Sequence, residues 1–72
     1  MMTDDLIKEL QDDYARAPRG DKVLSIHLFS IRNADGIDGH NTYDFAERAG
    51  IGRSYGSEIR KGIRLARYVR LK

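Results

Sequence analysis

Apolar residues recur every three or four positions through the first quarter of the chain. Leu6, Ile7, Leu10, Tyr14 and Ala17 fall at this spacing and predict an amphipathic helix over about 3–17. Thr3 is the expected N-cap. Asp4 and Asp5 lie in the first turn and Arg16 near the other end, each where the helix dipole favours its charge. "PRG" at 18–20 ends the element. In the next run, "DKVLSIHLFSIRNA", the residues Val23, Leu24, His27, Leu28 and Ile31 would share one helical face, while Ile26 and Phe29 point elsewhere. Such a helix is apolar on most sides and suits a central position between others. The same residues have high β-propensity and fit a buried strand. The length of the run, about 14 residues, favours the helix, with Asp21 available to cap it.

"DGIDGHN", 35–41, reads as a loop with two glycines. A short helix follows over about 42–49, with Asn41 as N-cap and Asp44 three residues on in a capping-box-like arrangement. "AGIG", 49–52, breaks it. A last helix starts near Arg53 and runs at least to Lys61. Gly62 ends it or is tolerated inside it at about 1 kcal/mol. For "IRLARYVRLK" two readings stand. It continues the helix, or it forms a strand with Ile63, Leu65, Val69 and Leu71 on one face and Arg67 out of pattern.

With 72 residues there is room for one small domain spanning 1–72 and only a thin core. The chain contains no cysteine, so helix packing, with dimerisation as a further source, must stabilise it. No apolar run reaches the roughly 20 residues that span a bilayer, and "MMTDDLIKEL" lacks the basic start and apolar run of a signal peptide. An intracellular, cytoplasmic protein is expected. The net charge of +2 conceals an asymmetry. Residues 1–36 carry five basic and seven acidic side chains, whereas residues 53–72 carry seven basic and one acidic, Glu58. A basic block of this kind is either a solvated helix face or the electrostatic footprint of a polyanion site.

The stretch "FAERAGIGRSYGSEIRKG", 45–62, bears on that choice. Two helices that meet steeply through a short turn need a small residue at the contact, and Ala46 is one. Four residues later Gly50 can adopt positive φ. Ile51 can plug the core just after it, and Ile59 can point inward from the second helix. On these residues the chain resembles the helix-turn-helix of bacterial repressor-type DNA-binding domains, over residues 42–62. The ending "SYGSEIRKG" is similar to many recognition helices of that kind, which finish in a basic residue and Gly. Two positions depart from the pattern. Gly56 stands where a β-branched aliphatic is usual, implying either a gap that Tyr55 is placed to fill or a close approach of the third helix to the fourth. Gly52 stands where a capping residue is usual, leaving Ser54 to cap a helix that begins one or two residues late. Both departures leave open a helical hairpin that keeps the shape without reading DNA.

At about 100° per residue, Tyr55, Ile59, Gly62, Ile63, Ala66 and Val69 fall on one side of the last helix. Arg53, Ser57, Arg60, Arg64 and Arg67 fall on the other. Arginine can grip phosphate or read guanine through two hydrogen bonds. The resemblance implies that 53–61 enters the major groove of double-stranded DNA, with Arg53, Ser54, Ser57 and Arg60 nearest the bases. Lys61, Arg64, Arg67 and Arg70 would then meet phosphates, and Ser54, Ser57 and Tyr43 are further candidates for phosphate contacts.

Other chemistry finds less support. His27 and His40 share no ligand spacing, "DGIDGHNTYD" does not place its acids as a calcium loop does, and "GIG" lacks the context of a dinucleotide site. No catalytic constellation stands out, so neither an enzyme nor a bound metal or cofactor is expected. The expected fold is all-α, a small bundle of about four helices containing the helix-turn-helix. The expected function is DNA binding in transcriptional regulation or an accessory role, with a homodimer or larger protein as partner through Leu65, Tyr68, Val69 and Leu71. The alternative is a protein-interaction module of the same shape that recognises its partner through the acidic first helix.

Overall fold

Five α-helices account for most of residues 2–72, the part of the chain that the computed structural model describes. They are α1 (Met2–Arg16), α2 (Lys22–Arg32), α3 (Ala34–Ile37), α4 (Thr42–Arg48) and α5 (Gly56–Leu65), with single 3-10 turns at Arg19–Asp21 and Arg53–Tyr55. Among the described residues there is no strand, and no helix is long and apolar enough to cross a membrane. The all-α expectation holds. The helix beyond the expected four is α3, a single turn inside the Gly-rich stretch.

α2 is central, packed by α1 on one flank and by α5 on the other. Its inward residues Ile26 and Phe29 are fully buried against Leu10 of α1, Ile37 of α3, Phe45 and Ala46 of α4, and Ile59 of α5. Each large apolar side chain buried in this way contributes about 1.5–3 kcal/mol. Phe29 and Phe45 meet with ring centroids 6.2 Å apart. The α2–α5 crossing is tight. Ser30 faces Gly62, and a Cβ added at Gly62 would collide with the Ser30 Cβ and lie 3.1 Å from the His27 carbonyl oxygen. Gly62 therefore lies inside α5, where the absence of a side chain lets the two backbones approach. Ser30 is fully buried, and its hydroxyl donates to the Ile26 carbonyl at 2.8 Å.

Polar links fix α1 on α2. Arg32 donates to Glu9 from Nε at 3.1 Å and from Nη2 at 2.6 Å, and Nη2 also reaches Asp13 at 2.5 Å. Asn33 donates to the same Glu9 carboxylate at 2.8 Å. Lys22 donates to the Tyr14 carbonyl at 2.6 Å, satisfying an acceptor near the end of α1, and its ammonium lies 5.0 Å from the Tyr14 ring centre.

Several local expectations change. Thr3 lies inside α1, which starts at Met2. Asp21 occupies the N-cap position of α2 but makes no side-chain cap bond. The inward stripe of α2 is Ile26, Phe29 and Ser30, not the face of Val23, Leu24, His27, Leu28 and Ile31; Val23, Leu24 and Leu28 are exposed. The 35–41 stretch contains α3, because Ile37 is a core residue, 1% exposed, and pulls its segment inward. After Leu65 the chain makes turns to Tyr68 and then has no regular structure, so neither the strand nor the fully continued helix is seen over 63–72.

Candidate nucleic-acid interface

Local chemistry builds the α4–turn–α5 unit. The Asn41 side chain accepts from the backbone N–H of Tyr43 at 3.0 Å and of Asp44 at 3.2 Å, starting α4 as expected. The Asp44 carboxylate accepts from Arg53 instead of completing a reciprocal cap. Gly50 has φ +76° and Gly52 φ +111°, both in the region that side chains disfavour. Gly50 N–H donates to the Glu47 carbonyl at 3.0 Å and Ile51 N–H to the Ala46 carbonyl at 3.3 Å, closing the turn. Ala46 is fully buried, Ile51 packs on the core from the turn, and Ile59 is fully buried from α5.

The second helix begins differently from expectation. Arg53–Tyr55 form a 3-10 turn, and α5 proper starts at Gly56. Ser54 does not cap it: no side-chain cap bond forms, and the Ser54 carbonyl accepts from the Ser57 hydroxyl at 3.1 Å. Gly56 leaves no gap. A Cβ there would lie 2.6 Å from Tyr43 Cα and 2.7 Å from Tyr43 N, so the missing side chain brings α5 directly onto α4. Tyr55 is half-buried and rests on Tyr14, with ring centroids 6.0 Å apart.

The outward face of this unit carries the basic residues in two electrostatic states. Arg53 donates to Asp44 at 2.5 Å and approaches Glu47 at 3.6 Å, with its guanidinium 6.0 Å from the Tyr43 ring centre. The hydrogen bond that Arg53 donates to Asp44 and the charges of both acids hold the Arg53 guanidinium above its ordinary pKa. Lys61 meets Glu58 at 3.3 Å. Arg60, Arg64 and Arg67 are exposed and form no ion pair among the described residues. These three arginines border one open groove with Ile63, the loop at 38–41, Thr42 and Tyr43. Arg70 lies beyond α5 in the irregular tail and is exposed. Ser54 is exposed and Ser57 half-buried.

Three of the five acids of α1 are committed elsewhere. Asp4 pairs with Arg48 at 3.4 Å, Glu9 with Arg32, and Asp13 with Arg16 and Arg32. None of them pairs with a basic residue of α5. Glu58 is the acid on α5 itself, and it is tied inward: His27 Nε2 donates to Glu58 Oε1 at 2.8 Å. That hydrogen bond, with Lys61 beside it, holds the Glu58 carboxyl below its ordinary pKa of 4.5. His27 thus bridges α2 and α5 at the edge of the core.

Sequence reasoning did not place His40, Asn41 and Thr42 on this groove. His40 is exposed and meets the Phe45 ring edge-on at 6.2 Å. No signal in the sequence marked the three, because the groove exists only once α5 crosses the start of α4. A family model described as an HTH-like domain matches residues 2–72. No curated protein and no solved structure matches the chain.

Proposed function

We propose that this chain, which belongs to the HTH-like domain family, binds double-stranded DNA by laying α5 in the major groove, in a regulatory or accessory role. The observation that carries the reading is the row Arg60, Arg64 and Arg67. Among the described residues these three exposed arginines stand without an acidic partner beside a polar groove, while Asp4, Glu9 and Asp13 of α1 pair with other arginines. Cations left unpaired in this way attract phosphates at long range and release counterions when they meet them. Arg60 lies toward the middle of α5 and, with Ser57, reaches the bases. Arg64 and Arg67 meet one phosphate strand. Arg53, bound to Asp44 and Glu47, orients the 3-10 turn and offers Ser54 to the backbone of the other strand.

The reading is tested by fluorescence-anisotropy titration of a labelled mixed-sequence duplex at two salt concentrations. Binding that weakens steeply as salt rises supports it. Absence of binding at the lower salt overturns it.

A further inference from the structure

α2 is apolar on both sides. Ile26 and Phe29 fill the core, while Val23, Leu24 and Leu28 stand on the outer side, 39%, 51% and 39% exposed. Leu24 and Leu28 are one turn apart and share a shallow floor with Ala17 and Pro18. On the α5 flank, Leu65 and Tyr68 form a second exposed apolar area beside His27 of α2, edged by Lys61 and Arg64 where it meets the arginine face. None of Val23, Leu24 and Leu28 lines the groove assigned to DNA. A 72-residue chain with a thin core has left a central helix uncovered on one side.

Charge indicates what covers it. The rim beside Leu24 and Leu28 holds Asp13 and Asp21 together with Arg16 and Arg32, two of each sign. A balanced rim neither draws a polyanion nor favours a strongly charged partner. It complements a surface with the same signs in reversed order. Along α2, Asp21 sits at the N-terminal end and Arg32 is the last residue. A two-fold axis across α2 runs two copies antiparallel and sets Asp21 of each opposite Arg32 of the other. The same register, within one residue, sets Leu24 of each against Leu28 of the other. Glu9 and Asp13 hold Arg32 through Nε and Nη2, leaving Nη1 for the new carboxylate. Parallel pairing would instead oppose like charges and align the helix dipoles.

We propose that the chain forms a homodimer through the outer face of α2, with the two α2 helices antiparallel. A stable interface takes about 800 Å² per partner. That is roughly a sixth of the 4995 Å² surface of this chain. α2 is only about 16 Å long, so the interface extends over Ala17 and Pro18 on one flank and Leu65 and Tyr68 on the other. The proposal does not depend on DNA binding, and its test contains no DNA.

Sedimentation velocity of the full chain over a dilution series is expected to show a dimer that dissociates on dilution. Leu24→Glu with Leu28→Glu is expected to give a monomer with unchanged helical circular dichroism, because both side chains are exposed. The chain contains no cysteine, so mixing Leu24→Cys with Leu28→Cys variants gives a separate readout, expected as mixed 24–28 disulfide dimers, and this decides the matter even where the double Glu variant fails to fold. A monomer at every concentration overturns the proposal. So does a dimer indifferent to the two Glu substitutions, or cross-linking of 24 to 24 without mixed 24–28 product.

Discussion

Gly56→Ala tests the packing that sets the angle of α5. An added Cβ would lie 2.6 Å from Tyr43 Cα and 2.7 Å from Tyr43 N and Cδ1. Two of these atoms are backbone, so no rotamer change relieves the contact. Carbon atoms rest at about 3.5–4.0 Å, so α4 must retreat from α5 by about 1 Å. α4 carries Phe45 and Ala46 in the core, 3% and 0% exposed, and cannot move alone. Overpacking of this kind costs about 1–3 kcal/mol. Ala in place of Gly returns about 0.5–1 kcal/mol through the lower entropy of the unfolded chain. The expected net loss reaches up to about 2.5 kcal/mol, which for a domain of this size lowers the melting midpoint by up to roughly 20 °C. Urea denaturation and thermal melting followed by circular dichroism measure it. Gly20→Ala is the control: nothing lies within 4 Å of a Cβ there, and its stability should be unchanged or slightly raised. An unchanged or raised midpoint for Gly56→Ala would refute the close approach of the two helices.

Gly50→Val should destabilise by more than 1 kcal/mol on the order of a strained-backbone penalty, because φ is +76° with open space around the position; a thermal midpoint equal to wild type would mean that the turn does not constrain the fold. Gly62→Ala should also destabilise, by forcing α2 and α5 apart at Ser30, and Ser30→Gly should recover part of that loss, so that the double variant is more stable than the sum of the single ones predicts; strict additivity in urea unfolding would argue against the crossing. Glu58 titrates below its ordinary 4.5 when folded, with His27 as the main cause. Its bond therefore contributes stability above that pH and loses it as pH falls through the folded value. The stability difference between wild type and Glu58→Gln, measured by melting from about pH 7 to about pH 3, should shrink toward the acid end, and a difference that is flat with pH would contradict this.

The helix-turn-helix was legible because its chemistry is local. Asn41 caps from the position just before α4, Ala46 is the small contact residue, and Gly50 and Ile51 make the turn and its plug, all within eleven residues of chain. α2 was legible as a helix but not in its orientation. With apolar residues on every side, periodicity could not distinguish the face of Ile26 and Phe29 from that of Leu24 and Leu28, and the partners of each face lie far along the chain. Ile37 was hidden by the glycines around it. Gly56 and Gly62 carry no sign in the sequence of the helices that press on them, so at Gly56 a gap and a close approach stood open together, and the contact with Tyr43 decides for the second. Charge was half legible. The arginine side of α5 follows from spacing alone, but the Arg53 partners Asp44 and Glu47 belong to α4 and are brought close only by the turn.

Arg60, Arg64 and Arg67 are the cations proposed to meet DNA. The most direct measurement compares the salt dependence of duplex binding for the wild-type chain with that of Arg60→Gln, Arg64→Gln and Arg67→Gln combined. The three side chains are exposed and unpaired among the described residues, so melting should verify a fold equal to wild type. Each phosphate contact contributes about 0.9 to the slope of log affinity against log salt, so the triple variant, which removes the base contact of Arg60 and the phosphate contacts of Arg64 and Arg67, should bind weakly with a slope shallower by about 1.8. Unaltered affinity and slope in a folded triple variant would contradict the claim that this face of α5 engages DNA.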